Sequence, residues 1–230
     1  DAGKGEGTMR VLLVGIGGAG CRIADMLYAQ DQKSRTLRCT DGIAVDSDES
    51  ALSALKALPK ENLIFSKTLD PNQEWGGAFL LPDEEIISRL QSLDPGDIDA
   101  LIVCLGLGGT MAGLAPSLIS SIRKTMVEPV FGLFTLPCDQ ECDEVLARAA
   151  DQIDLLTKVT EGIILFDNEI WFGRVQNDPD LQVAPESEGG LILSRTRRTV
   201  PQTETSLVYQ GINQLMVKQV SLLLRAGEVS

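Results

Sequence analysis

Two stretches of this chain follow one plan, and together they constrain its fold more than anything else in it. VLLVG (11–15) is an apolar run of strand length that passes into IGGAG (16–20) and a helical pattern. LIVCL (101–105) passes into GLGGTMAG (106–113) and a second helical pattern. Each implies a strand, a glycine turn and a helix start. Glycine lets a backbone approach a ligand with no Cβ in between, and the first N–H groups of a helix lack an intrahelical partner, so both can face an anion. Either turn taken alone reads equally well as tight packing of a helix on a strand.

The remaining text alternates in the same way. GIAVD (42–46), NLIFS (62–66), VFGLFTLP (130–137) and part of EGIILFDNEIW (161–171) read as strands. Between them lie a short helix closed by Pro59 and a helix over 82–93 with acids in its first turn. A third runs to about Met126 with Leu114, Leu118 and Ile122 at four-residue spacing. A fourth carries Val145, Ala149, Ile153 and Leu156 on its apolar face. The last runs from Ser206 to about Gly227 with Val208, Ile212, Leu215, Met216, Val220 and Leu223 inward. Alternation of strand and helix predicts a doubly wound, Rossmann-like α/β domain over 10–230, with a parallel sheet of about six strands and a long C-terminal helix. Residues 1–9 read as disordered, with Met9 an original start. Residues 67–81 read as a loop at the ligand edge, and 173–203 as a mobile, linker-like stretch.

Composition narrows the chemistry. A formal net charge of −13 argues against non-specific binding of nucleic acid or anionic lipid, yet leaves room for a local anion pocket made of backbone N–H groups. There is no histidine, which removes Ser-His and Cys-His nucleophilic mechanisms and the commonest metal ligand. Five cysteines lack any paired metal spacing and read as reduced thiols. No apolar run approaches the roughly 18 residues of a membrane span, and no N-terminal signal peptide is legible, so a cytoplasmic protein is expected.

Two glycine turns at the carboxyl ends of neighbouring parallel strands fit the crevice where strand order reverses, the usual ligand position in such folds. Gly15, Gly17 and Gly20 also spell the dinucleotide fingerprint, with Asp46 at the end of the second strand placed to hold a ribose. An NAD- or FAD-binding oxidoreductase is therefore one reading. It leaves the second turn and the final helix without a task.

Several motifs, in order, resemble the tubulin/FtsZ superfamily of GTP-binding, polymer-forming proteins, including its archaeal CetZ group. GIGGAGCRI (15–23) resembles the family's N-terminal glycine loop, and LGGTMAG (107–113) its tubulin signature. PCDQEC (137–142) is similar to its ribose loop, FDNEIW (166–171) to its base-reading Asp-Asn-Glu, and YQGINQL (209–215) to the tubulin Tyr-x-x-x-Asn-x-Leu. The resemblance implies a guanine nucleotide site for GTP or GDP. Gly17, Gly18, Ala19, Gly20, Cys21 and Arg22 would come from the first loop, and Gly108, Gly109, Thr110, Met111, Ala112 and Gly113 from the second. Pro137 and Glu141 would lie at the ribose and Asn168, Tyr209 and Asn213 at the base, with Asp46 also in the nucleotide site. Tyr209 and Asn213 are four apart, so on one helix face a stacking ring and an amide can meet the same purine. It further implies Mg²⁺ with the triphosphate, Asp48 being a candidate ligand whose other reading is an acid at a helix start. Catalytic groups would come from an acidic loop of a neighbouring subunit in a head-to-tail assembly, none lying within this chain.

The chain departs from that pattern at named places. Leu107 and Met111 replace two glycines of the signature, and Arg22 stands where the family has Asn or Gln. DPNQEWGGAF (70–79) resembles the γ-phosphate loop poorly. The sequence ends at RAGEVS, ahead of the acidic loop and second domain, which implies either a truncated chain or a reduced relative that binds nucleotide without polymerising in the usual way; a non-hydrolysing assembly or regulatory protein is a further reading. Other residues have plainer readings. Trp75 and Trp171 are partial core or interface, RTRR (195–198) is a solvated basic turn, and Thr110 caps the helix after it through its hydroxyl.

Overall fold

The fold comes from a computed structural model that describes residues 9–34, 40–67, 81–94, 96, 98–139, 141–177 and 204–225. The expected loop over 67–81 and the linker-like stretch over 173–203 lie almost wholly outside those residues, as do Trp75 and RTRR.

The first half contains β1 (Val11–Ile16), α1 (Gly17–Gln32), β2 (Thr40–Asp46), α2 (Glu49–Ser53), β3 (Leu63–Phe65), α3 (Asp83–Leu93) and β4 (Ala100–Gly106). There follow α4 (Ala115–Ile122), β5 (Val130–Leu136), α5 (Asp143–Leu156), β6 (Gly162–Asp167), α6 (Asn168–Asn177) and α7 (Glu204–Leu224). All neighbouring strands are parallel, in the order β3-β2-β1-β4-β5-β6. The chain starts in the middle, winds outward through β2 and β3, then returns to β4 beside β1. Strand order therefore reverses between β1 and β4, and both glycine turns sit at that point.

The central strands read as unbroken apolar runs because both faces of the sheet are covered. Alternate residues go to opposite sides. Val11, Leu13, Ile102 and Cys104 join one core with Ile23 and Leu27 of α1 and with Ile212 and Met216 of α7. Leu12, Val14, Leu101 and Val103 join the other, with Ile86 and Leu90 of α3, Leu118 of α4 and Leu156 of α5. Helix α7 packs through Val208, Ile212, Met216, Val220 and Leu224, a strict four-residue stripe. That stripe corrects one expectation: Leu223 is 57% exposed and Leu224 is buried in its place. The last turn of α7 is fixed by Arg225, whose Nη2 donates to the buried carboxylate of Asp31 at 2.7 Å. Asp31 also accepts from the backbone N–H of Thr40 at 2.9 Å, so one carboxylate joins α7 to the start of β2.

The passage after β4 differs from a helix that begins at once. Met111–Leu114 form a single 3-10 turn, and α4 proper spans Ala115–Ile122, with Pro116 in its first turn. Thr110 makes no capping bond through its hydroxyl; its carbonyl accepts from the N–H of Gly113 at 3.2 Å.

Candidate functional site

The two glycine turns touch. A Cβ on Gly17 would lie 3.1 Å from Cβ of Met111, and one on Gly106 would lie 2.7 Å from Cβ of Ala19. Gly17 has φ +69° and Gly108 φ +84°, the left-handed region that glycine enters at little cost. Helix α1 begins without a side-chain cap and without an acid in its first turn, and the same holds for the 3-10 turn and α4. By contrast α2, α3, α5 and α6 carry Asp or Glu in their first turns. The first turns of α1 and of the 3-10 segment beside the glycines thus carry neither a side-chain cap nor an acid, and the positive ends of their backbone dipoles suit an anion.

Around this cleft the candidate residues divide into exposed and packed. Gly17, Gly18 and Ala19 are half-buried, while Gly109, Thr110 and Gly113 are exposed. Gly20 is a packing residue by geometry, since a Cβ there would sit 2.1 Å from the carbonyl oxygen of Cys104. Cys21 is buried, its thiol shared between the carbonyls of Gly15 and Val45 at 3.5 and 3.4 Å. Burial, with the charge of Asp46 behind it, pushes that thiol far up from its ordinary pKa, so it is a poor nucleophile. Met111 and Ala112 point into the core. Met111 therefore adds its bulk beneath Gly17 instead of over a ligand.

Asp46 closes the β2 side. Its Oδ1 accepts from the N–H groups of Ser47 and Asp48 at 2.7 and 3.2 Å, and its Oδ2 lies 3.7 Å from where a Cβ of Gly18 would be. Arg22, one turn into α1, brings Nη1 to 3.4 Å from the same point. This exposed guanidinium forms no ion pair among the described residues. Asp48 caps α2: its Oδ1 accepts from Ser50 N at 2.8 Å, Ser50 Oγ at 2.7 Å and Ala51 N at 3.2 Å, and these bonds hold its carboxyl below the usual range. No group of three or more Cys, Asp or Glu among the described residues is placed to hold a metal ion.

The other half of the cleft follows along the carboxyl edge of the sheet. Leu107 N–H donates to Thr135 O at 2.9 Å, tying the second glycine turn to the end of β5. Past Pro137, Cys138 is buried, and the hydroxyl of Tyr209 on α7 donates to its Sγ at 3.2 Å. The Tyr209 ring also meets Phe172 of α6 edge to face, with centroids 5.8 Å apart. Glu141 is exposed, its N–H donating to Cys138 O at 2.9 Å. Glu169 reaches across to accept from Asp139 N at 3.0 Å, so the turns after β5 and β6 are joined. Asp167 accepts from the N–H groups of Glu169 and Ile170 at the start of α6. Asn168 is 8% exposed, and its Oδ1 has no hydrogen-bond partner. A buried amide oxygen without a donor is costly, and a ligand N–H would satisfy it. Asn213 is half-buried one turn beyond Tyr209 on α7.

One group escaped the sequence reading. Gln152, buried in the middle of α5, accepts from Gly108 N–H through Oε1 at 2.7 Å and donates to Gly109 O through Nε2 at 2.9 Å. Arg148 Nε donates to Gly108 O at 3.0 Å. Gly108, placed on the phosphates by the resemblance, thus gives its N–H to Gln152. The one hint in the sequence was a glutamine between Ala149 and Leu156, on the apolar side of an amphipathic helix.

A family model described as the GTPase domain of the tubulin/FtsZ family matches residues 10–176. The chain belongs to the tubulin/FtsZ family. Among tubulin/FtsZ relatives it is 30% identical to tubulin-like protein CetZ3 of Haloferax volcanii over 172 residues, which is 71% of this chain and 44% of CetZ3. In fold it is similar to CetZ1 from Haloferax volcanii, solved as a GDP-bound monomer. That match has a TM-score of 0.70 and 22% identity, and covers 96% of this chain and 61% of the CetZ1 chain. It is similar as well to CetZ2 from the same organism in a GTPγS-bound protofilament, with a TM-score of 0.63 and 22% identity, covering 96% of this chain and 59% of that one. The chain spans about half the length of the curated relatives it matches. Membership of the tubulin/FtsZ family sets aside the dinucleotide oxidoreductase, although this chain shares that enzyme class's strand order.

Proposed function

We propose that this chain binds GTP and GDP in the cleft between its two glycine turns, as the nucleotide domain of a self-associating cytoskeletal protein. The reading rests on one observation above the rest: the buried, unpartnered Oδ1 of Asn168 at the same sheet edge as two uncapped helix starts. The helix starts suit phosphates, and the orphan acceptor suits the N1–H and N2–H groups that guanine offers on one edge. The backbone N–H groups of Gly17, Gly18 and Ala19, with those of Gly109 and Thr110, hold the phosphates, while Gly20 packs α1 on β4. Arg22 supplies their counter-charge in an otherwise acidic chain. Glu141 takes the ribose, Asn168, Tyr209 and Asn213 hold the base, and Asp46 stays on the phosphate side of the cleft beside Gly18 and Arg22.

Mg²⁺ fits this site only as a guest of the triphosphate. Asp48 has one carboxylate oxygen outside its capping bonds, and Mg²⁺ commonly takes one or two carboxylates with phosphate oxygens and water. Bound there, the ion would neutralise phosphate charge, and Asp48 would hold it from the exposed side. We assign hydrolysis to head-to-tail contacts in the whole protein, where a neighbour completes the site, and place the protein in the cytoplasm. The free cysteines support that compartment.

Competition against a fluorescent GDP analogue tests the reading. GTP and GDP are expected to displace the probe, whereas ATP and NAD are not, and equal displacement by ATP would overturn the base assignment. GTP turnover, measured on the full-length protein in the same buffer with Mg²⁺, should rise per subunit with concentration. A rate that stays flat would remove the shared site.

A further inference from the structure

Gln152 holds the second glycine turn by its backbone on both sides. Its amide accepts from Gly108 N–H at 2.7 Å and donates to Gly109 O at 2.9 Å, while Arg148 takes Gly108 O at 3.0 Å. Three polar groups of a two-glycine segment are thereby fixed to α5, and Val145 packs where a Gly108 side chain would go. Outside this clamp are the N–H groups of Gly109 and Thr110, both exposed residues. A glycine pair without such restraint samples many backbone states, and ordering it on binding would cost affinity.

We propose that Gln152 is a positioning residue of the nucleotide site. It removes Gly108 N–H from the phosphate donors and sets the angle at which Gly109 and Thr110 present theirs. This inference rests on the guanine nucleotide reading above. An apolar side chain of similar size would leave the buried Gly108 N–H without its acceptor and Gly109 O without its donor, so the turn would shift toward water.

Gln152→Glu separates positioning from mere packing, because the two side chains have nearly the same shape. A protonated carboxyl both accepts and donates and so reproduces the amide; an ionised one keeps the bond from Gly108 N–H but has no hydrogen for Gly109 O. Arg148 is the charged group beside it on α5, and the facing turns present Gly108, Gly109 and Gly113, none of which titrates.

Affinity for a fluorescent GDP analogue is measured from about pH 5.5 to about pH 8, alongside exchange of the Gly108 amide in nucleotide-free protein relative to its intrinsic rate. Wild type and Gln152→Ala are carried through the same range. The variant Gln152→Glu is expected to lose about tenfold in affinity relative to wild type as pH rises, with Gly108 protection falling in step. Gln152→Ala should be about tenfold weaker at every pH. A Gln152→Glu profile parallel to wild type overturns the inference even if Gln152→Ala fails to fold, as does falling Gly108 protection without change in affinity. If wild type itself fails to bind the probe, the nucleotide reading falls and takes this inference with it, while pH-dependent Gly108 exchange still reports the clamp.

Discussion

At the scale of single residues, the glycines of the two turns do different work under one letter. Gly17 and Gly108 supply left-handed backbone, whereas Gly20 lets α1 lie against β4. Gly20→Ala would drive a methyl into the backbone of Cys104, which cannot swing away as a side chain could. A loss of about 2 to 3 kcal/mol is expected, read as a lowered urea midpoint, with a wild-type midpoint contradicting the packing role. Which glycine faces the cleft was not legible in the sequence, because φ and close approach are set by the register of α1 on the sheet. Gln152 was hidden for a related reason: a buried glutamine looks like a break in an apolar face until the backbone it satisfies is in view. Met111, standing where the signature has a glycine, is swung into the core by the 3-10 turn.

Among the elements, α7 carries the most consequence per contact. It covers one face of the sheet through its four-residue stripe, presents Tyr209 to the cleft near its start, and is pinned at its end by Arg225 to Asp31. Because Asp31 is buried and also serves Thr40 N–H, Arg225→Ala takes a guanidinium away from a buried carboxylate. About 2 kcal/mol of stability should be lost, less than a fully buried pair would cost because Arg225 is partly solvated. The measurement is a set of denaturant melts of Arg225→Ala, Asp31→Ala and the double variant; losses of the two single variants that simply add in the double would contradict the pair. The strands and the other helices were legible from apolar runs and periodicity, since both faces of the sheet are buried; α6 was not, its residues 173–177 reading as the start of a linker. The 3-10 turn and the shift from Leu223 to Leu224 were not, because each depends on the angle at which a helix meets its neighbours.

For the whole molecule, the fold alone leaves the ligand open. The order β3-β2-β1-β4-β5-β6, with a glycine turn after β1, belongs equally to dinucleotide-binding domains. What separates the two is spread across the chain: a second glycine turn after β4, an orphan amide after β6, and a tyrosine on α7 bonded to the loop after β5. These lie at one sheet edge though they come from distant parts of the sequence, and the ordered motifs of the resemblance made that juxtaposition legible beforehand. The contacts that brace it, Gln152 on the turn and Glu169 on Asp139, were beyond the sequence because they are long-range backbone bonds. The most direct test is mass spectrometry of small molecules released when the purified protein is denatured. GDP or GTP in near one-to-one ratio with the chain is the predicted result, and an adenine dinucleotide in its place would contradict the account.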